Sequence, residues 1–272
     1  MNCGCLIYAH NSTIDYGSQA VLAAKLAIKH LGVPVSLVTD AVTLNDIKAK
    51  FETLPFDHII EVDKPSSNNS RKLSNETVAF INGNRNTAWT VTPYQRTLII
   101  DSDFLIFSNE LNKYWTSDYN FLICEGMASL GVNTETTVSK YSIPLLWATN
   151  IMFTKTAETK ILFDLVDYIK QEYVYFSGIY EFHSSQYRND FAFSIACHIM
   201  SAYGVDQWHG LLPSPLFFND YDKLVSVDNK RLVFLHHIGN KDYLTKASGQ
   251  DVHMMNKRDI LVNLTQLMEL AQ

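Results

Sequence analysis

The feature that most constrains this chain is an alternation within its first 62 residues. Cys3 to Ala9 is a short apolar run that ends at His10-Asn-Ser-Thr13. From Tyr16 to His30 apolar residues return at helical spacing, at Val21, Leu22, Leu26 and Ile28. Gly32 and Pro34 stop that helix, and Val35-Ser-Leu-Val-Thr39 reads as a second strand ending at Asp40. Thr43 to Phe51 has the pattern of a short helix and His58-Ile-Ile-Glu-Val62 that of a third strand. Parallel neighbours need a crossover of about a dozen residues or more, usually a helix, so this order predicts βαβ units in a doubly wound sheet. Lys64 to Asn75 is polar and reads as a loop, and Arg96-Thr-Leu-Ile-Ile100 as a strand that such a sheet buries on both faces. Tyr119 to Cys124 and Trp147 to Phe153 follow as strands, Glu158 to Tyr173 and Asp190 to Tyr203 as helices. Arg231 to Leu235 closes the series as a strand ending in His236-His237.

A chain of 272 residues, 47% hydrophobic and 18% charged, carries enough apolar surface for a sizeable core, which excludes disorder over most of its length. That length fits one large domain or two small ones, and with no internal repeat and no low-complexity tract the expectation is a single domain over residues 1–272. Apolar stretches such as Phe191 to Val205 are broken by Ser, Cys and His, and none reaches the roughly 18 residues of a membrane span. The N-terminus enters an apolar segment without a basic leader, which reads as a first strand and points to a cytoplasmic protein. Cys3, Cys5, Cys124 and Cys197 lack paired zinc-site spacing and are too few for a disulfide scaffold, so buried thiols are expected. A net charge of −6 argues against a broad nucleic-acid surface but leaves room for a local basic groove.

In parallel α/β sheets ligands gather beyond the carboxyl ends of strands, and Asp101-Ser102-Asp103 falls at such an end. Two carboxylates two residues apart offer hard oxygen ligands to Mg²⁺ or Mn²⁺ and leave positions for water and a diphosphate. Asp-x-Asp is a weak motif alone, and the same residues can cap a turn. His10, Asn11 and Asp15 follow the first strand and Asp40 the second. Each alone suits helix capping. As a set they form a rim able to hold a base and ribose.

Three segments carry a family resemblance. Tyr8-Ala9-His10, the run Thr92-Pro-Tyr-Gln-Arg-Thr-Leu-Ile-Ile-Asp-Ser-Asp103, and Trp147-Ala-Thr-Asn-Ile-Met-Phe153 together resemble GT-A glycosyltransferases, in an order and spacing similar to the glycogenin-like (family 8-like) group. The resemblance implies a single GT-A, Rossmann-like α/β domain with a mainly parallel, mixed central sheet flanked by helices. It further implies that Asp101 and Asp103 bind manganese and the nucleotide diphosphate, with Ser102 beside them. Because nucleotides bind beyond strand carboxyl ends in this architecture, the base and ribose are expected to touch Ala9, His10, Asn11 or Asp15, and by the resemblance Asn150 reaches the sugar from its strand. Arg188-Asn-Asp-Phe-Ala192 resembles the family's acidic segment at a helix start, which implies Asp190 beside the donor sugar; its plain reading is a helix cap. Arg71, with Lys72, lies in the polar loop where such enzymes place a base on the diphosphate, although a solvated charged loop fits as well. His236-His-Ile-Gly-Asn-Lys241 is similar to the family's His-x-x-Gly-then-Lys pattern, which implies His236 as third metal ligand, His237 as alternate, and Lys241 on the diphosphate. Adjacent strand residues face opposite ways, so only one of the two histidines points at the metal.

The resulting expectation is an enzyme that transfers a sugar from a nucleotide diphosphate donor, a UDP-sugar by resemblance, with Mn²⁺ or Mg²⁺ and with retention favoured. The acceptor stays open among glycan, protein and DNA. A cysteine-poor domain of this size also fits a bacterial virus, and some viral glycosyltransferases modify hydroxymethylated DNA bases. A nucleotidyltransferase would also use a strand-end carboxylate pair, but with a glycine-rich loop after the first strand, which Ala9-His-Asn-Ser12 is not. The remaining alternative is a non-catalytic nucleotide-sugar-binding protein.

Overall fold

The alternation of the first 62 residues is present as β1 (Cys3–Tyr8), α1 (Tyr16–Leu31), β2 (Val35–Thr39), α2 (Ala41–Lys50) and β3 (His58–Glu61). The structure, a computed structural model, describes residues 2–65, 70–73, 76–79, 81–129, 134–184, 186–228 and 231–272. Asp15 caps α1 by accepting the Ser18 N–H at 2.9 Å. Gly32 ends that helix at φ 68°, a left-handed conformation that glycine adopts without a Cβ clash. Asp40 caps α2, accepting the Val42 and Thr43 N–H groups at 3.1 Å each.

The segment read as a polar loop holds β4 (Ser70–Leu73), which pairs antiparallel with β5 (Glu76–Ala79) just beyond it; strands of four residues are too short to establish an alternation. The chain continues through α3 (Ala88–Val91), β6 (Arg96–Ile100), β7 (Phe104–Leu105), β8 (Phe121–Cys124), β9 (Ala128–Ser129) and β10 (Trp147–Thr154). Next come α4 (Ala157–Gln171), α5 (Tyr173–Ile179), α6 (Asn189–Met200), β11 (Gly210–Leu212) and β12 (Leu216–Phe218). It closes with β13 (Lys223–Asp228), β14 (Arg231–Ile238), β15 (Lys241–Ser248), β16 (Val252–Met254), α7 (Lys257–Val262) and α8 (Leu264–Leu270).

The main sheet has the order β11-β8-β10-β6-β1-β2-β3. β6, β1, β2 and β3 run parallel, β10 runs antiparallel to both neighbours, and β8 and β11 are parallel to each other. All five residues of β6 are buried, as expected of a strand covered on both faces. The chain winds outward from β1 to β3 and then returns to β6 on the other side of β1. A crevice therefore opens beyond the carboxyl ends of β1 and β6, the topological switch point where ligands bind in open α/β sheets. One face is packed by α4 and α6 through Phe121, Phe153, Phe163 and Phe193; the other by α1 and α2 through Ala20, Ala24, Leu44 and Ile47.

Arg231–Leu235 is a strand as expected, but outside this sheet. It is part of β14, the centre of a separate antiparallel sheet β13-β14-β15. Leu232 and Phe234 face inward, and Phe234 stacks on Phe218 with centroids 3.5 Å apart. One-sided burial lets an antiparallel sheet sit at the periphery, where a parallel strand would be exposed. A third sheet has the order β7-β16-β12-β9, and its Leu105, Phe218, Val252 and Met254 share a core cluster with Leu224, Leu232 and Phe234. The four cysteines are free, three of them buried. No helix among the described residues is long and apolar enough to cross a membrane.

Candidate metal and diphosphate site

β6 delivers Asp101 to the switch point, and the chain turns sharply there. The Asp101 N–H donates to the Thr149 carbonyl (3.0 Å) and the Phe104 N–H to the Asp101 carbonyl (3.1 Å). The two-residue strand β7 then pairs antiparallel with β16, setting His253 opposite Phe104, and the Met254 N–H donates to the Asp103 carbonyl at 3.0 Å. This register brings a histidine from the C-terminal region onto the carboxylates. His253 Nε2 lies 3.5 Å from an Asp103 oxygen and 4.0 Å from an Asp101 oxygen. One donor atom from each of Asp101, Asp103 and His253 fits within 4.8 Å of the others, a spacing that one divalent cation can bridge.

Two cations of the chain hold the pair. Lys257, on the first turn of α7, bonds Asp103, and Arg85 bonds Asp101. Lys257 and Asp103 are both almost wholly buried. Burial opposes the ionised carboxylate of Asp103, but the charges of Lys257 and His253, with their hydrogen bonds, hold it well below the usual carboxylate range. Burial lowers the guanidinium of Arg85 from its ordinary value, against the pull of Asp190 and Asp103. With the Asn189 amide oriented to suit its neighbours, its oxygen accepts from Arg85 and its nitrogen donates to the Gly83 carbonyl and the Tyr187 hydroxyl, each at 3.2 Å.

These groups line a cleft of about 330 Å³ together with Tyr8, Tyr16, Asn82, Trp147, Thr149 and Asp190. Asp190, in the first turn of α6, accepts the Ala148 N–H at 2.8 Å through one oxygen. Its other oxygen meets Arg188, which also bonds Glu135 at 2.8 Å. Asp190 is therefore a strut between α6 and β10 with a face on the cleft. The capping position of α6 is taken by Arg188, not Asp190.

Of the residues expected at the site, Asp101, Ser102, Asp103 and Asp190 line the cleft. His236 does not join the carboxylates. It is buried on the inner face of β14, its Nδ1 2.9 Å from an Asp222 oxygen and its ring stacked on Phe218 at 5.4 Å. The glycine that suggested a His-x-x-Gly pattern is a hairpin residue: Ile238 pairs with Lys241, and Gly239 takes φ 62° in the two-residue turn between β14 and β15. His237 faces solvent and pairs across the hairpin with Asp242 at 2.6 Å, and Lys241 is exposed at the start of β15. Asn150 is fully buried with no partner for its amide among the described residues. From the same strand Trp147 and Thr149 reach the cleft, the Thr149 hydroxyl 3.4 Å from His253 Nδ1.

Ala9, His10, Asn11 and Asp15 stand behind the rim rather than on it. The Ala9 carbonyl accepts from Thr39 (2.7 Å), and His10 Nδ1 lies 3.1 Å from Asp40. The Asn11 side chain accepts the Gly17 N–H (2.8 Å), and Asp15 caps α1 and pairs with Lys50 at 2.6 Å. The capping reading holds for Asn11 and Asp15. Arg71 lies on β4, and its side chain is outside the described residues.

His253, Lys257 and Arg85 are the site residues that sequence reasoning passed over. A signal was present in Val252-His-Met-Met-Asn-Lys257: a histidine in a short apolar run with a lysine four residues later. Arg85 sits in a 3-10 turn without any flanking pattern.

No family model matches the sequence, and no curated protein matches it. Solved structures do match. The galactosyltransferase LgtC, in complex with donor and acceptor sugar analogues, gives a TM-score of 0.51 at 11% identity over 79% of this chain and 75% of LgtC. An active-site variant of LgtC gives 0.50 at 11% identity over 79% and 74%. The glycosyltransferase GlyE of Streptococcus pneumoniae TIGR4 gives 0.44 at 9% identity over 78% of this chain, which spans 45% of GlyE. At such identities the likeness is one of architecture: the chain has the mixed α/β fold of the GT-A glycosyltransferases.

Proposed function

We propose that the chain is a metal-dependent glycosyltransferase that takes a sugar from a nucleoside diphosphate donor. The observation that carries the reading is the convergence of Asp101, Asp103 and His253 at the switch point, with Lys257 and Arg85 against them. Two carboxylate ligands and an imidazole suit Mn²⁺, or Mg²⁺ with less preference, because nitrogen favours the transition ion. A divalent cation bound there supplies a Lewis acid for the charge that builds on a departing diphosphate. Lys257 and Arg85 supply fixed positive charge to the same leaving group, from a pocket where burial strengthens it. Asp190 faces the cleft as the carboxylate for sugar hydroxyls or the anomeric carbon, oriented by the Ala148 N–H. The base and ribose fall to Tyr8, Tyr16 and Asn82, on a wall that Ala9, His10, Asn11 and Asp15 hold from behind. UDP as the nucleotide and retention of configuration rest on the family resemblance, and the acceptor is a glycan, a protein or a modified base.

Nucleotidyl transfer is disfavoured by the loop after β1. The His10 N–H is bonded to Asn82 (2.8 Å) and the Asn11 N–H to Thr43 (2.7 Å), so neither is offered to a phosphate. The test is incubation with a panel of labelled nucleotide-sugars, with and without Mn²⁺. Metal-dependent release of free sugar and nucleoside diphosphate is expected. Release of pyrophosphate from a nucleotide triphosphate and sugar phosphate would replace the reading with nucleotidyl transfer, and tight donor binding without turnover would leave a binding protein.

A further inference from the structure

The carboxylates proposed to hold the metal are already neutralised by the chain itself. Asp103 is paired with Lys257 and Asp101 with Arg85. Lys257, Asp103, Arg85 and His253 are all less than 10% exposed, so water screens these charges poorly. Two carboxylates and two cations sum to zero before any ion enters. A divalent cation arriving alone would leave two uncompensated positive charges in a buried site, and it would have to share its ligand oxygens with an ammonium and a guanidinium. A diphosphate arriving alone would face Asp101, Asp103 and Asp190 with its charge unmet. Arriving together, cation and diphosphate balance, and Lys257 and Arg85 can turn from the carboxylates to the phosphate oxygens without losing an anionic partner.

Resting on the metal-dependent reading above, we infer that Lys257 and Arg85 are internal counter-ions that make metal binding and diphosphate binding mutually dependent. The free protein holds neither well, and each raises the affinity of the other by the same factor, as linkage requires. The device restricts the metal to the moment a donor is present. It also gives Lys257 and Arg85 a role that is read in the absence of any turnover.

The experiment follows free Mn²⁺ by its electron paramagnetic resonance signal, with the full chain titrated alone and then with ADP, CDP, GDP, UDP or dTDP. In the wild type, Mn²⁺ alone should bind weakly, and the matching nucleotide should tighten it by a factor on the order of 5–150, the usual range of coupling between sites. Lys257→Met should tighten Mn²⁺ binding in the absence of nucleotide by roughly tenfold, since it removes a buried positive charge from a ligand oxygen, and should shrink the coupling. Arg85→Gln should act in the same direction at Asp101 and keeps the test available if the Lys257 variant does not fold. Lys257→Arg, which keeps the charge, should retain weak binding of Mn²⁺ alone. Wild-type protein that binds Mn²⁺ equally well with and without nucleotide would overturn the inference and leave the metal site standing, as would charge-removing variants that gain no affinity for Mn²⁺ alone. Failure of Mn²⁺ to bind under every condition, variants included, would remove the metal-dependent reading and the inference with it.

Discussion

His236 and His253 are both buried imidazoles, and their partners divide their roles. His236 bonds Asp222 and stacks on Phe218, so its loss strips a buried carboxylate of its partner. His236→Ala should therefore cost about 1–3 kcal/mol of stability by denaturant titration while leaving metal-dependent nucleotide binding intact. His253→Ala should do the reverse. Losing even a group that hydrogen-bonds a metal's ligand costs about 10–100-fold in affinity, so losing a ligand should weaken Mn²⁺-dependent nucleotide binding at least as much, with little change in melting temperature. The two variants, measured side by side by calorimetry and thermal melting, separate ligand from support. Away from the site, His10, His198 and His209 all have depressed pKa values because burial disfavours the charged ring. Below the unfolded value of about 6.5, the unfolded chain takes up protons that these folded residues refuse, so stability falls as pH drops from there. Melting temperature should decline between about pH 6.5 and 5, and His10→Asn should flatten part of that decline; an unchanged slope would show that His10 contributes none of it.

At the scale of elements, the site depends on strands too short to stand alone. β7 has two residues and β16 three, yet their pairing is what sets His253 beside Asp103. Short strands of this kind take their order from packing against the rest of the core, here through Leu105, Val252 and Met254. β1 shows the opposite regime. Its glycine, Gly4, lies against the ring of Tyr94, and a Cβ there would meet ring carbons of a side chain pinned by its hydroxyl to Ser36 at 2.7 Å. Gly4→Ala should destabilise the protein by about 1–3 kcal/mol, the usual cost of overpacking a close-packed interior. Chemical unfolding checks it, and a neutral result would mean that Tyr94 can move aside. The longer elements were legible in the sequence for physical reasons. α1 carries a capping Asp15, helical apolar spacing and a stopping Gly32, and β6 an apolar run that both faces of the sheet bury. β7, β9, β11, β12 and β16, at two or three residues each, are shorter than any period that hydrophobic alternation can establish.

At the scale of the whole molecule, two of the three core clusters share elements. Met268 of α8 packs against both the α1–α2 face of the main sheet and the cluster beneath the β13-β14-β15 sheet, and α1 contributes to both. One cooperative unfolding transition is expected, with far-ultraviolet and near-ultraviolet circular dichroism falling together; two separated transitions would mark the C-terminal sheet as an independent unit. The cleft itself draws on Tyr8, Tyr16, Ser70 and Ser184 and on residues from 82–103, 147–149, 186–190 and 253–257, gathered by a sheet order that no local pattern contains. What the sequence determined alone is the βαβ alternation, the buried strand β6 and the carboxylates at its end, because hydrophobic periodicity and strand-end position are local properties of the chain. Asp190 came to notice through the family resemblance of the segment that opens its helix. Which histidine completes the cluster was decided by tertiary structure. His236 and His253 both occupy apolar strand contexts, and only the pairing of β16 with β7, against that of β14 with β13 and β15, puts one imidazole on the carboxylates and the other on Asp222. The counter-charges are tertiary as well: Arg85 and Lys257 lie far apart in sequence, and only the closed fold brings both against the two aspartates, burying them deeply enough for charge balance to govern what can bind.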